Sequence, residues 1–144
     1  MPGDDVRLLD LLTSTAQEVA AATSADACAI SRMIGDLLIL VAETTSDGST
    51  LQLGQGYLIS DYPETRRVLA QRETCALTLA DGAVDPAEAG VLRELGFAAL
   101  LMLPLELRGH VWGLVELYRR EPRAFTAGEQ RVARERLAAL AGEH

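Results

Sequence analysis

The segment Leu92–Tyr118 constrains the fold of this chain more than any other part of its sequence. Two nearly continuous apolar runs of strand length, Ala98–Leu107 and His110–Tyr118, are separated by Arg108-Gly109. Such a pattern predicts two strands joined by a two-residue turn. Gly96 can adopt the left-handed conformation that ends a preceding helix. Because both faces of so apolar a hairpin must be covered, helices are expected on each side of a sheet.

Length and charge restrict the classes of protein to consider. The chain has 144 residues, which indicates one domain, and 49% of them are hydrophobic. The net charge is −8, all thirteen cationic residues are arginine, and lysine and asparagine are absent. An acidic surface disfavours binding to a phosphate backbone, so no nucleic-acid partner is expected. No apolar run reaches the roughly 18 residues of a membrane span, and the acidic N-terminus does not resemble a signal peptide. A cytoplasmic protein without a membrane partner is expected.

Hydrophobic periodicity and turn residues predict an alternation of helices and strands. Predicted helices cover 4–23, about 61–72, 85–95 and 126–142, and predicted strands cover 28–33, 37–45, 57–59, 75–79, 98–107 and 110–118. Residues 46–55 form a polar loop. The hairpins require antiparallel pairing, so the prediction is an α+β fold with a central antiparallel sheet of five to six strands between two helical layers.

Helix starts carry recognisable capping residues. Asp61 with Glu64 resembles a capping box, with Pro63 early in the helix. Asp85, followed by proline and by a glutamate at the third position, predicts a second start. Thr126 with Glu129 predicts the start of the last helix.

The first helix is apolar on two sides. Its main stripe comprises Leu9, Leu12, Ala16, Val19, Ala20 and Thr23, whereas Val6, Leu8 and Leu11 lie off it. A helix with two apolar sides has two neighbours, one of which can be another chain. Replacing Leu8 and Leu11 by glutamate is therefore expected to give a monomer.

Three segments resemble the GAF domain family of small-molecule-sensing and dimerisation modules. They are Ala25–Ile30 at the first strand, Leu58–Thr65, and Leu92–Tyr118. The resemblance covers nearly the whole chain and implies a single domain over residues 1–144. It also implies that the terminal helices 4–23 and 126–142 pack behind the sheet and pair with a second subunit.

The same resemblance implies a ligand pocket on the opposite face of the sheet. Its roof would be Tyr57–Leu69 and Cys75–Phe97, and its floor alternate residues of Leu100–Leu105 and Val111–Leu117. The ligand-binding residues implied in this way are Tyr57, Asp61, Tyr62, Arg66, Cys75, Phe97, Leu101, Leu103 and Glu116.

The ligand signatures known in the family are not met, so the cofactor stays unknown. The Asn-Lys signature of cyclic-nucleotide-binding members is absent. Cys75 lacks the aromatic and histidine-rich surroundings of bilin attachment sites. His110 and His144 are the only histidines, and neither is placed to ligate haem. Two cysteines, Cys28 and Cys75, do not match the methionine-sulfoxide-reducing members, and no zinc spacing is present.

Two readings remain for several polar candidates. Asp61, Tyr62 and Arg66 could contact an anionic or amide-bearing ligand, or Asp61 could cap a helix beside a solvated arginine. Glu116 could be a pocket carboxylate of perturbed pKa, or it could pair with an arginine of a packing helix. Cys75 could be a redox-active or cofactor-attaching thiol, or an inert buried one.

The second strand of the hairpin gives two further expectations. Glu116 is expected on the same side of its strand as Trp112 and Leu114. Trp112 and Tyr118 are expected to be core aromatics rather than platforms for ligand stacking.

The resulting functional expectation is a non-enzymatic regulatory domain. A small molecule would order the pocket roof, and the terminal helices would pass the change to an output domain or partner, of kinase, cyclase, phosphatase or transcription-factor type. A ligand-free dimerisation scaffold with a collapsed pocket is the alternative. A small enzyme using Cys75 ranks third.

Overall fold

The computed structural model describes residues 2–51 and 56–143. The helices are α1 (Pro2–Ala22), α2 (Pro63–Gln71), α3 (Pro86–Leu95) and α4 (Ala127–Glu143), and a short 3-10 helix covers Ile59–Asp61. The strands are β1 (Ala27–Ile34), β2 (Leu37–Thr45), β3 (Tyr57–Leu58), β4 (Cys75–Thr78), β5 (Ala99–Leu107) and β6 (His110–Arg119). Part of the predicted loop 46–55, the side chain of Val6 and the whole of His144 lie outside the described residues.

The six strands form one sheet in the order β3-β2-β1-β6-β5-β4, and every neighbouring pair is antiparallel. The predicted α+β architecture is therefore confirmed. Arg108 and Gly109 both have positive φ, 54° and 79°, which is the geometry of a two-residue turn whose twist suits a hairpin. Of the described helices, none is long and apolar enough to cross a bilayer.

Each face of the sheet carries its own helical layer and its own core. On one face, α1 and α4 cover buried residues that include Cys28, Ile30, Leu117 and Phe125. On the other face, α2 and α3 cover a second core that includes Leu114. The terminal and internal helices thus take opposite faces, as the sequence predicts.

The middle of the sheet depends on a glycine. Gly113 on β6 pairs with Arg32 on β1, and an added Cβ at Gly113 would lie 2.0 Å from the carbonyl oxygen of Ser31. No side chain fits there, so the glycine allows the close approach of the two central strands.

The predicted orientation of β5 is wrong by one residue. Leu101 and Leu103, expected on the pocket floor, lie in the core beneath α1 and α4. Leu100 and Met102 face the internal helices instead. The run is apolar on both faces because both are covered, so no alternation in the sequence reveals which residues point which way.

A β-bulge explains why the predicted orientation of Trp112 is wrong. The pairing of β5 and β6 shifts between Leu105 and Glu106, which leaves Trp112 as the extra residue on β6. A bulge interrupts the alternation of side chains. Trp112 therefore packs against the core under the terminal helices, whereas Leu114 faces the internal ones, so the expectation that they share a side is wrong.

The buried arc of α1 is also rotated from the predicted stripe. Leu9 is 44% exposed, whereas Leu8 and Leu11 pack against the core. Leu8 precedes the fully buried Leu12 by four residues, so the two share one helix face. The helix contacts both the sheet and α4, which widens its apolar arc.

Two of the three predicted helix caps are present. The Asp85 side chain accepts hydrogen bonds from two backbone amides at the start of α3. Thr126 and Glu129 bond reciprocally to each other's backbone amides at the start of α4, as a capping box does. The cap predicted at Asp61 is wrong, because α2 begins one residue later, with Tyr62 as the N-cap and no capping bond from its side chain.

Candidate functional site

A small cavity lies between the sheet and α3, on the face that the internal helices cover. Its volume is about 120 Å³. It is called here the Tyr–Glu cavity, and its lining residues are Tyr57, Tyr62, Glu88, Val91, Glu94, Leu95, Glu116 and Tyr118. Strands β3 and β6 and helix α3 therefore contribute to one site.

Glu116 lines this cavity and is only 5% exposed. Its Oε1 accepts a hydrogen bond of 2.9 Å from the Tyr57 hydroxyl, and its Oε2 accepts one of 2.8 Å from Tyr118. Burial raises the pKa of Glu116 from 4.5 to about 7, although the two hydroxyls oppose the rise. The pairing with an arginine is not observed: within the described part of the chain, the partners of Glu116 are tyrosines.

Glu88 is a second buried carboxylate, and it is not among the ligand-binding residues predicted from the sequence. Instead of closing a capping box, its Oε1 accepts hydrogen bonds of 3.1 Å from the backbone amide and from the hydroxyl of Thr65. Burial raises the pKa of Glu88. Because Thr65 belongs to α2 and Glu88 to α3, the contact joins the two internal helices above the sheet.

Aromatic rings form much of the wall. The rings of Tyr57 and Tyr62 meet edge to face, with 5.2 Å between centroids. Phe97 stacks on Tyr118 at 5.0 Å and supports that ring from behind. Such contacts hold the rings in fixed orientations. Tyr118 is buried and Tyr57 is partly buried. Desolvation raises the pKa of both hydroxyls well above 10, so both donate as neutral phenols.

The potential inside the Tyr–Glu cavity is negative. The charged neighbour that acts on Glu116 is Glu88, which raises its pKa further. Desolvation raises the pKa of Tyr62, and the negative charges of four carboxylates raise it further: Glu88, Asp61, Glu94 and Glu116. An anionic ligand would therefore be repelled by the ionised carboxylates of the lining.

The structure brings together three of the nine predicted site residues, Tyr57, Tyr62 and Glu116. Asp61 lies beside them, in a shallow surface groove with Tyr62 and Glu94. Arg66 is exposed on α2 and lies outside the described lining of the cavity. Phe97 lies behind Tyr118, and Cys75 lies on the edge strand β4. Leu101 and Leu103 lie on the opposite face of the sheet.

Cys75 has the surroundings of an unreactive thiol. Its Sγ lies 3.4 Å from Glu64 Oε2, and Arg67 Nη2 donates to it at 3.6 Å. Burial, followed by the bond to Glu64, raises the pKa of Cys75 to about 11. A thiol that is protonated at neutral pH is a poor nucleophile. Cys28 is fully buried on the other face, where burial also raises its pKa.

Arg119, also not selected from the sequence, is 1% exposed and lies on β6 directly after Tyr118. Its guanidinium donates to the carbonyl oxygen of Thr23 at 2.6 Å and to Glu129 at 2.5 Å. Further bonds reach the carbonyl oxygens of residues 24, 123 and 124, and the group lies 3.9 Å from the Phe125 ring centroid. This cluster, the Arg119 clamp, ties β6 to the end of α1 and the start of α4.

Comparison with known proteins identifies the fold. The GAF domain model matches residues 7–144. The GAF domain of Thermosynechococcus elongatus PixJ, in its blue-light absorbing form, is similar with a TM-score of 0.83 and 18% identity, over 100% of this chain and 90% of that one. A phycocyanobilin-bound GAF domain from a cyanobacterial phytochrome is similar with a TM-score of 0.77 and 22% identity, over 95% of this chain and 86% of that one.

A larger protein contains the same fold as one of its parts. The chromophore-binding domain of a Stigmatella aurantiaca bacteriophytochrome has a TM-score of 0.73 and 18% identity, over 90% of this chain and 51% of that one. No curated protein sequence matches the chain. Within the described residues, no group of three or more histidine, cysteine, aspartate or glutamate side chains could hold a metal ion.

Proposed function

The chain belongs to the GAF domain family, and we propose that it is a regulatory sensor domain that binds a small molecule in the Tyr–Glu cavity. The observation that carries this proposal is Glu116, a carboxylate in a cavity of about 120 Å³ whose partners are two neutral hydroxyls. A buried acid is costly without a counter-charge, and such groups concentrate at functional sites. A ligand that contacts Glu116 would offset that cost.

Strand β6 supplies the route from the cavity to the terminal helices. Tyr118 holds Glu116 on one face, and the next residue, Arg119, holds α1 and α4 on the other. A ligand that moves Glu116 and Tyr118 would shift the strand on which the Arg119 clamp depends. Two arrangements of the clamp with different ligand affinities would then constitute the switch.

We propose that α1 and α4 carry the signal to an output domain or partner in the cytoplasm. The terminal helices pack against each other on the face away from the cavity. Leu9 is 44% exposed on α1, which leaves an apolar contact for a second copy of this chain. A homodimer through these helices, acting on a kinase, cyclase, phosphatase or transcription-factor type of output, fits this arrangement.

The cavity does not fit a bilin, the ligand named for one of the similar structures. Pockets for ligands of drug size measure roughly 300–1,000 Å³, well above 120 Å³. Neither cysteine lines the cavity: Cys28 lies on the opposite face, and Cys75 contacts Glu64 and Arg67. A ligand of much smaller size is therefore proposed.

A dimerisation scaffold with a collapsed pocket is the second candidate, and the small volume of the cavity favours it. In that case the contacts of Glu116 with Tyr57 and Tyr118 would be structural only. Val91 on α3 lines the cavity and offers a way to separate the two functions, because Val91→Phe would fill the space from above.

Native mass spectrometry of freshly purified protein, compared with its denatured mass, tests the proposal. The wild type should carry a non-covalent mass that Val91→Phe lacks, or should bind members of a small fragment library that Val91→Phe does not bind. A melting curve establishes that the variant is folded. If both proteins carry the same masses and bind the same fragments, the sensor function is wrong and the scaffold is supported.

A further inference from the structure

The Tyr–Glu cavity combines carboxylates with aromatic rings and contains no cationic side chain in its described lining. Three of its eight lining residues are glutamates, Glu88, Glu94 and Glu116, and three are tyrosines. Glu116 and Glu88 are buried, so water screens their charges little. The buried guanidinium of Arg119, by contrast, is matched by the carboxylate of Glu129. In the cavity the matching charge is missing.

Resting on the proposed function, we propose that the ligand of the Tyr–Glu cavity is a small organic ammonium ion, either protonated or quaternary. The carboxylates of Glu116 and Glu88 would supply the counter-charge. The rings of Tyr57, Tyr62 and Tyr118 would contact the alkyl groups and attract the cation to their faces, as in aromatic cages.

The dimensions agree with this class of ligand. A cavity of roughly 150 Å³ accepts a benzene-sized molecule, so about 120 Å³ suits an ammonium group with its methyl substituents. The entrance also suits a cation, because Glu94 is exposed at the rim and Asp61 lies in the adjoining groove. Negative charge along the approach raises the local concentration of cations.

Hydrogen bonding sets a further condition on the ligand. Both oxygens of Glu116 already accept bonds from tyrosine hydroxyls, and Oε1 of Glu88 accepts two from Thr65. Each Glu116 oxygen keeps one lone pair for a further donor, whereas Oε1 of Glu88 already uses both of its own. A cation can therefore be added without breaking the existing bonds, whereas an anion would displace them and leave the carboxylates facing like charge.

Isothermal titration calorimetry at constant ionic strength provides the test. The probes are methylammonium chloride and tetramethylammonium chloride, with tert-butanol as a neutral molecule of similar shape, sodium acetate as an anion, and sodium chloride as the reference. At pH 8 one of the two ammonium ions should bind at least about tenfold more tightly than tert-butanol or acetate.

Matched variants assign the binding to the cavity. Glu116→Gln keeps the shape and removes the charge, so the affinity for the better cation should fall by about tenfold or more, whereas Glu106→Gln, on the surface of β5, should leave it unchanged. Tyr62→Phe keeps the ring and should retain affinity, and Tyr62→Ala should lose it. The Tyr62 pair keeps the test valid if Glu116→Gln does not fold.

The outcomes separate the ligand class from the general function. Tighter binding of tert-butanol or acetate than of both ammonium ions, lost in Val91→Phe, would overturn the ammonium class and leave the sensor function intact. Cation binding that survives both Glu116→Gln and Tyr62→Ala would overturn the site. If no probe binds the wild type and native mass spectrometry shows no difference from Val91→Phe, the proposed function itself is wrong.

Discussion

Tyr118 and Arg119 are consecutive residues of β6 whose side chains leave the sheet on opposite faces. The Tyr118 hydroxyl donates to Glu116 in the Tyr–Glu cavity, and the Arg119 guanidinium donates to Thr23 and Glu129 at the terminal helices. Successive residues of a strand alternate between faces, so a one-residue step connects the two layers. The candidate ligand site and the candidate output surface are thus linked by one peptide unit.

Protonation of Glu116 should make stability depend on pH. Its pKa is about 7 in the folded protein and 4.5 ordinarily, so between these values the folded state binds more protons than the unfolded state. The free energy of unfolding should therefore fall as pH rises from 4.5 to 7, by on the order of 3 kcal/mol from this group. Urea unfolding of the wild type and Glu116→Gln at several pH values measures it.

The difference between the two proteins isolates Glu116 from the other titrating groups. Relative to the wild type, Glu116→Gln should gain stability as pH rises through this window and change little below it. Tyr57, Tyr118, Glu88 and Glu94 face the same cavity and are shared by both proteins. A constant difference across the window would show that Glu116 titrates normally.

The affinity for an ammonium ion should have the opposite pH dependence. Only ionised Glu116 supplies a counter-charge, so binding should strengthen as pH rises through about 7 and level off above it. Between pH 8 and pH 6 the affinity for the better of the two ammonium probes should fall about tenfold in the wild type. The same calorimetric titrations measure this, and an affinity independent of pH would mean that the cation does not contact Glu116.

Loss of the Arg119 clamp should destabilise the whole domain. Arg119→Met leaves Glu129 and the buried carbonyl oxygen of Thr23 without their donor, and removal of one partner from a buried ion pair costs about 3–5 kcal/mol. Arg120→Met is a matched control, because Arg120 is half-exposed in its pairs with Asp26 and Asp47 and should cost less than about 1 kcal/mol. Chemical unfolding at neutral pH should separate the two variants; equal costs would refute a structural role for the clamp.

Gly113→Ala should disrupt the centre of the sheet. The new Cβ would overlap the Ser31 carbonyl oxygen, and relief requires β1 and β6 to separate, at a cost of about 2–3 kcal/mol or more. Gly90→Ala in α3 meets nothing within 4 Å and should stabilise the protein by up to about 1 kcal/mol. Thermal unfolding of both variants tests this prediction. A Gly113→Ala protein that melted at the wild-type temperature would contradict the predicted overlap with Ser31.

Leu9→Glu tests dimerisation through α1 better than the substitutions suggested by the sequence. Leu8 and Leu11 pack against the core, so glutamate there would unfold the helix layer as well as any dimer. Leu9 is exposed, so Leu9→Glu should give a monomer of unchanged stability. Sedimentation velocity reports the mass, and a Leu9→Glu protein that remains a dimer would exclude this surface.

Element order and helix layers could be predicted from the sequence because their signals are local. Pro86 and Gly96 limit α3, Arg108 with Gly109 closes the hairpin, and Thr126 with Glu129 opens α4. Each signal needs only residues adjacent in the chain. These predictions are confirmed.

The site could be predicted only in part, because it depends on non-local facts. In a strand that is apolar on both faces, the sequence does not reveal which residues point to which face. Leu101 and Leu103 were therefore predicted on the wrong side of the sheet. Glu88 was predicted only as part of a helix start. Its bond to Thr65 joins two different helices, so nothing adjacent to Glu88 in the sequence reveals it. One signal was available: a charged residue such as Arg119 at the end of an apolar strand requires buried partners.

Hydrogen–deuterium exchange, measured with and without tetramethylammonium or whichever probe binds most tightly, tests the link between cavity and terminal helices most directly. The account predicts slower exchange in α2 and α3 and also at the end of α1 and the start of α4. In Arg119→Met, provided it folds, only the response of α1 and α4 should disappear. A response confined to α2 and α3 in the wild type would contradict transmission through β6.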